Sequence, residues 1–211
     1  MSNPRVDLAQ RPVERRSHAE RTAETRGRVM NAVIESIAEV GFQRTTAAEI
    51  ARRAGVTWGA VQHHYRDKEG ILMAVLEESF KTFAGVLGTP PKRDTSLESR
   101  VELFVRRSWQ HFRSTHYRST TQILLNLPVE IEIPWRLEML DEWKRIWSGF
   151  FPESNPARRQ SIDLMVYAIS VFTGLATTTM LEGERTRTRS RELSFLEETL
   201  VQHLSPKRET G

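Results

Sequence analysis

Apolar residues recur along this chain at helical spacing, in blocks that open and close on helix start and stop signals. Val29, Val33, Ile37 and Val40 stand at i, i+4, i+8 and i+11, the stripe of an amphipathic helix. That segment opens at Ser17-His18-Ala19-Glu20, which has the form of a capping box. It closes on Gly41 as the C′ residue, after which Phe42 is expected to fold back onto the helix. Thr46-Ala47-Ala48-Glu49 repeats the capping-box form and opens a short helix with Ala47, Ile50, Ala51 and Ala54 facing inward. Side chains this small let a neighbouring helix come close. Gly55 ends it, and Thr57 is placed to cap a third helix through Tyr65, with Val61 and Tyr65 inward. Asp67 can cap a fourth helix running to about Val86, apolar at Leu72, Val75, Leu76, Phe80 and Phe83.

The run Gly88-Thr89-Pro90-Pro91-Lys92-Arg93-Asp94 breaks this pattern. Beyond it every long segment again reads as helix. Thr95-Ser96-Leu97-Glu98 predicts a capping box before a helix to about Ser114, and a shorter segment from Tyr117 to Leu127 stops at Pro128. Pro134 and Pro156 suit the first turn of a helix and predict helices over 135–150 and 156–181, with Glu130 and Glu132 left in a loop. The last helix is expected over 191–204. No alternating apolar run is long enough for a sheet, and no repeat is present. The expected fold is all-α: a disordered basic leader over 1–16, a three-helix helix-turn-helix domain over 17–70, and a helical ligand-binding and dimerisation domain over 71–211.

Composition narrows the chemistry. Of 211 residues 38% are apolar, enough for a sizeable core, and there is no cysteine, which excludes disulfides and cysteine-based metal or nucleophile sites. The N-terminus is polar with no apolar stretch resembling a secretory signal, so a cytoplasmic protein is expected. The net charge of +4 is uneven: residues 1–70 hold 12 Lys/Arg against 9 Asp/Glu, the remainder 19 against 18. Arg5, Arg11, Arg15, Arg16, Arg21, Arg26 and Arg28 all precede the first apolar stripe. Such a leader either meets a phosphate backbone or is a solvated terminus.

A helix, a short helix, a Gly-containing turn and a third helix form the helix-turn-helix layout, in which the last helix lies in the major groove. Its outward face is expected to present Trp58, Gly59, Ala60, Gln62, His63 and His64. Small residues let the backbone approach DNA, and Gln can pair with the adenine edge. Trp58 is open to a second reading as a core anchor, and Arg52 and Arg53 are either a solvated face or phosphate contacts. Adjacent helical residues point about 100° apart, so His63 and His64 are poorly placed to share an ion, and no metal or cofactor is expected.

The series Gly41-Phe42, Thr45 through Ala51, Ala54 through Thr57, Gly59-Ala60-Val61, His64-Tyr65, Lys68-Glu69 and Leu72 closely resembles the signature of TetR-family transcriptional regulators. The resemblance covers about residues 25–75. It implies that Thr46 and Lys68 meet phosphate and that Trp58, Gly59, Ala60, Gln62 and His64 face DNA. The candidate DNA-contacting set is therefore Arg26, Arg28, Thr45, Thr46, Thr57, Trp58, Gly59, Ala60, Gln62, His63, His64 and Lys68. Gln62 stands where the family most often has Tyr, and Trp58 where it usually has a small or polar residue, so operator sequences do not transfer. The resemblance further implies a homodimer on a palindromic double-stranded DNA operator, most often a repressor released by a small-molecule effector.

Residues 95–181 interleave large aromatics with His111, His116, Tyr117, Gln122, Asn126 and Thr173, a composition that fits either a ligand pocket or an ordinary core. Trp109, Phe112, Met139, Trp143 and Phe172 are the expected pocket wall, for an apolar or aromatic effector. Leu164 to Leu181 carries no charge. Its hydroxyl residues and short length speak against a membrane span, and its two apolar stripes fit a helix covered by its own domain on one side and a second subunit on the other. The last helix offers Leu193, Leu196, Leu200, Val201 and Leu204 as a second stripe. No phosphate loop, His-Glu-x-x-His or Gly-x-Ser-x-Gly motif supports an enzyme. A non-specific DNA binder would rely on more charge than the first domain carries.

Overall fold

A computed structural model describes residues 18–87, 89–92, 94–127, 129–154, 159–182 and 188–205, with the backbone alone for 18 and 129–136. The basic leader and Ser17 lie outside the described residues. Among the described residues the chain is helical throughout: α1 (His18–Val40), a single 3-10 turn (Phe42–Arg44), α2 (Ala47–Ala54), α3 (Trp58–Tyr65), α4 (Lys68–Leu87), α5 (Leu97–Phe112), α6 (Thr115–Leu124), α7 (Val129–Phe150), α8 (Arg159–Glu182) and α9 (Ser190–Leu204).

The start signals work as the local chemistry requires. Thr46 Oγ1 accepts the Glu49 N–H at 3.2 Å, Thr57 Oγ1 accepts that of Ala60 at 3.2 Å, and Asp67 Oδ1 that of Gly70 at 2.8 Å. Gly55 ends α2 at φ +65°, where its N–H reaches Arg52 O and the Val56 N–H reaches Ala51 O, a Schellman closure that folds Val56 onto the core. Two boundaries differ from expectation. Ser96, not Thr95, caps α5, accepting from Ser99 N, and Ser114 caps α6 two residues earlier than expected. A third difference is larger. α7 begins at Val129 and runs through Pro134, so Glu130 and Glu132 lie on helical backbone rather than in a loop. Six residues into α7, Pro134 has no N–H to donate to the carbonyl of residue 130.

Two hydrophobic clusters organise the chain, and α4 belongs to both. The first joins Val29, Val33 and Ile37 of α1, Ile50 and Ala54 of α2, Val61 and Tyr65 of α3, and Ile71 to Leu76 of α4, closed by Ile123 of α6. The second collects Phe83, Phe104, Phe112, Trp143, Trp147, Phe150, Phe151 and Phe172, sealed by Leu196 and Leu200 of α9. Buried Arg100 holds its edge: the guanidinium donates to Thr95 O, to Phe150 O at 2.7 Å and to both carboxylate oxygens of Glu153, whose pKa it lowers. Buried Arg189 likewise joins the start of α9 to Glu182 at the end of α8. α8 is long and apolar enough by composition to cross a membrane, with mean hydropathy 1.6. Met165, Ala168, Phe172 and Ala176 give it a buried stripe facing the second cluster.

Candidate nucleic-acid interface and cavity

α3 stands at the surface because its inward residues, Val61 and Tyr65, are one turn apart and both fully engaged in the first cluster. The opposite side leaves Thr57, Gly59, Gln62 and His63 exposed, with Ala60 and His64 half-buried beside them. Thr46 is exposed at the start of α2. His63 and His64 meet edge-on with ring centroids 5.4 Å apart. Among the described residues no three His, Asp or Glu side chains are grouped to hold a metal ion.

Five basic residues surround this face, and their roles separate. Arg26 is exposed, its guanidinium 5.9 Å from the Tyr65 ring while its carbonyl accepts from the Tyr65 hydroxyl, so the end of α3 is tied to α1. Burial pushes the Tyr65 pKa up. Arg28 lies along the turn, its Nη1 3.8 Å from where a Cβ on Gly55 would sit. Lys68 is half-buried with its ammonium 4.8 Å from the centre of the Phe42 ring. Arg53 bridges Glu49 and Glu39, a structural link from α2 to α1, and Arg52 also pairs with Glu49. Hydrogen bonds from these two arginines hold the Glu49 carboxyl down to about 2.

One expected DNA contact sits elsewhere. Thr45 is fully buried, its hydroxyl shared with Ser36 Oγ and Gly41 O at 3.0 Å each, because a β-branched residue just before the α2 cap is turned into the α1–α2 contact. Trp58 is half-buried and rests against the first cluster, the core-anchor reading of that position. An unexpected feature is the joint between α3 and α4. Arg66 has φ +67° and ψ −62°, and the Asp67 N–H reaches Tyr65 O at 2.8 Å, which makes a γ-turn of the rare, strained kind. The Tyr65 carbonyl then lies where a Cβ on Gly70 would be, 2.1 Å away. Gly70 in the first turn of a helix is the one sequence signal of this closeness.

Between α4, α5, α6, α7 and α8 lies a cavity of about 510 Å³. Phe112, Met139 and Trp143 line it as expected, together with Phe80, Phe83, His111, Tyr117 and Thr173. Phe172 does not: it is buried behind Phe112, the two rings stacked at 5.2 Å. Trp109 faces away, into an open groove between α5 and α9 beside Arg106 and Glu197. Helical periodicity places residues on a face but cannot say which neighbour that face meets, and α5 has partners on several sides. Burial pushes His111 down to about 4, and also lowers His116, whose Nε2 is buried with no partner among the described residues.

α6 connects the cavity to the first cluster. Tyr117, Thr120, Thr121 and Leu124 line the cavity, while Ser119 on the opposite side donates to Ile34 O of α1 at 2.9 Å. Gln122 accepts the Phe42 N–H, and Asn126 accepts from Gln43.

Residues 29–75 match the family described as "Bacterial regulatory proteins, tetR family". Over 53 residues the chain is 45% identical to the HTH-type transcriptional regulator BetI of Escherichia coli (strain K12 / DH10B). That alignment covers 25% of this chain and 27% of the relative, so the chain spans about a quarter of the length of the curated relatives it matches. Among solved structures, the multidrug binding protein EbrR complexed with imidazole has a TM-score of 0.65 at 20% identity, covering 94% of this chain and 100% of that one. The SmeT–triclosan complex has a TM-score of 0.62 at 19% identity, covering 84% and 90%. These likenesses show that the fold is shared along most of the chain, while the sequence match is confined to the first three helices and the start of the fourth.

Proposed function

We propose, from the match of residues 29–75 to the TetR family, that this chain is a cytoplasmic, ligand-responsive transcriptional regulator of that family, without enzymatic activity, that represses from a palindromic DNA operator as a homodimer and is released by a small apolar or aromatic effector. The observation that carries this reading is α6, one helix that lines the cavity on one side and is hydrogen-bonded to α1 on the other. Gln62, His63 and His64 read base edges from the exposed side of α3; Thr46, Lys68, Arg26 and Arg28 hold phosphate around it. Dimerisation is supported by the apolar side chains left open on α8 and α9, notably Leu181 at 84% and Phe195 at 65% exposure. Two recognition helices at a fixed separation read two half-sites, and the second contact adds affinity by effective concentration.

Titration of the purified protein against the DNA flanking its own gene, with a scrambled fragment of equal length as control, tests this. At physiological salt the native fragment is expected to bind at least about a thousandfold tighter. Gln62→Ala and His64→Ala are each expected to remove about 1–3 kcal/mol of that preference. Equal, weak binding to the scrambled fragment and to every genomic site recovered would refute a specific regulator.

The mechanism makes a separate demand. An effector must favour the conformation that does not fit DNA, since equal affinity for both would shift nothing. Occupancy of the cavity displaces α6, and Ser119 passes the shift to α1. In Ser119→Ala the effector's influence on operator affinity is expected to shrink by roughly 0.5–2 kcal/mol, with effector binding to the DNA-free protein retained. Unchanged coupling, measured by DNA titration with and without effector, would place the relay elsewhere.

A further inference from the structure

The cavity wall is distinguished by what it lacks. Among the described residues, none of the 18 that line it is Asp, Glu, Lys or Arg. Among those residues the one basic group is His111, which burial keeps neutral by lowering its pKa to about 4. A charged guest would leave water and find no opposite charge among these residues to offset its lost hydration. The aromatic walls return only part of that loss to a cation through their ring faces.

The polar groups in the wall differ in what they still have to give. Thr120, Thr121 and Ser170 each donate their hydroxyl hydrogen to a carbonyl of their own helix at 2.8–3.1 Å, so they offer only lone pairs. The Tyr117 hydroxyl is turned towards Thr173 Oγ1 at 3.4 Å. His111 is different. Its ring is held by Phe83 at 4.6 Å, Tyr117 at 5.5 Å and Phe112 at 5.6 Å, and its nitrogens make no hydrogen bond among the described residues. A neutral imidazole has one donor and one acceptor, and both are uncommitted here. Beside it Phe83 and Trp143 stand with ring centres 4.5 Å apart.

We propose that the cavity takes an uncharged aromatic molecule carrying a hydroxyl-type group, its rings against Phe83 and Trp143 and its hydroxyl paired with His111. The inference rests on the effector-binding reading above and specifies the effector's chemistry. A hydroxyl can donate to one imidazole nitrogen or accept from the other, so either tautomer serves. His111 and Tyr117 are on α5 and α6, so such a ligand bears directly on the helix that touches α1.

Four matched probes test it on the full-length protein by calorimetry: 2-naphthol, naphthalene, 2-naphthoate and trimethyl(2-naphthyl)ammonium. 2-Naphthol is expected to bind at least about tenfold tighter than either ion. His111→Leu is expected to weaken 2-naphthol about fivefold and leave naphthalene unchanged, the loss of one hydrogen bond. His111→Gln, which keeps a donor and an acceptor, is expected to restore much of the difference, and unchanged melting of both variants excludes a folding defect. Ions binding as tightly as 2-naphthol would overturn the neutral class. Equal losses for naphthol and naphthalene in His111→Leu would overturn the pairing. Absence of binding by all four would overturn this inference alone, since the effector reading is tested separately by DNA titration with and without effector.

Discussion

Gly70→Ala is expected to lower the melting temperature by about 6–12 °C, corresponding to roughly 3 kcal/mol, and to abolish sequence-specific DNA binding. The added methyl would sit 2.1 Å from the Tyr65 carbonyl oxygen and 3.2 Å from its carbon. Neither partner can yield cheaply. The carbonyl belongs to the last residue of α3 and accepts the Asp67 N–H in the turn at Arg66, while Gly70 is bonded through its own N–H to Asp67 Oδ1. Relief therefore requires α3 and α4 to separate or the turn to open, and either shifts the helix proposed to enter the groove. An internal control distinguishes this clash from helix propensity. Gly85, also on α4, has nothing within 4 Å of its missing Cβ. Gly85→Ala is expected to stabilise by up to about 1 kcal/mol. Wild-type melting and DNA affinity in Gly70→Ala would show that the joint is softer than its geometry implies.

Phe104→Ala carries the largest expected loss of stability, about 3–5 kcal/mol. Its ring is fully buried, with centres at 5.4–5.5 Å from Trp147, Phe150 and Phe151 and 6.2 Å from Phe172. These neighbours come from α7, α8 and the residue after α7, so no single element can move in to fill the space. The remaining folded protein is expected to bind DNA normally at low temperature, because Phe104 lies in the second cluster and α3 in the first. Urea titration measures the first effect and DNA titration the second. A loss under about 1 kcal/mol would mean that the site collapses onto the gap.

The two substitutions act on features of different legibility. Phe104 is one of the large aromatics over residues 95–181, apolar by its own nature and so suited to a pocket or a core alike. The closeness at Gly70 cannot be read from the residue's own nature: a glycine in a first helical turn is a cue, yet the atom that excludes a side chain belongs to the preceding helix. The cavity divides the same way. Phe112, Met139 and Trp143 were expected at the cavity and line it, whereas Trp109 and Phe172, with equally large rings at equally apolar positions, do not. His111, placed in the sequence only among several interleaved polar residues, becomes distinctive when its half-buried ring is seen packed against Phe83, Phe112 and Tyr117 without a hydrogen-bond partner among the described residues.

What the sequence by itself determined is whatever a residue and its neighbours within a turn decide. Thr46, Thr57 and Asp67 cap because a short oxygen-bearing side chain before a helix finds a free N–H three residues on. Gly55 closes α2 because φ +65° costs it nothing. The all-helical fold and the exposed side of α3 follow from the period of the apolar residues. Tertiary structure alone decided the rotation of each helix about its axis and the partner it meets. That is why Thr45 turned inward, Trp58 settled against the core, Pro134 was carried inside α7, and α6 came to lie between cavity and α1. Those outcomes depend on burial and contacts between residues far apart in the chain, which no local pattern encodes.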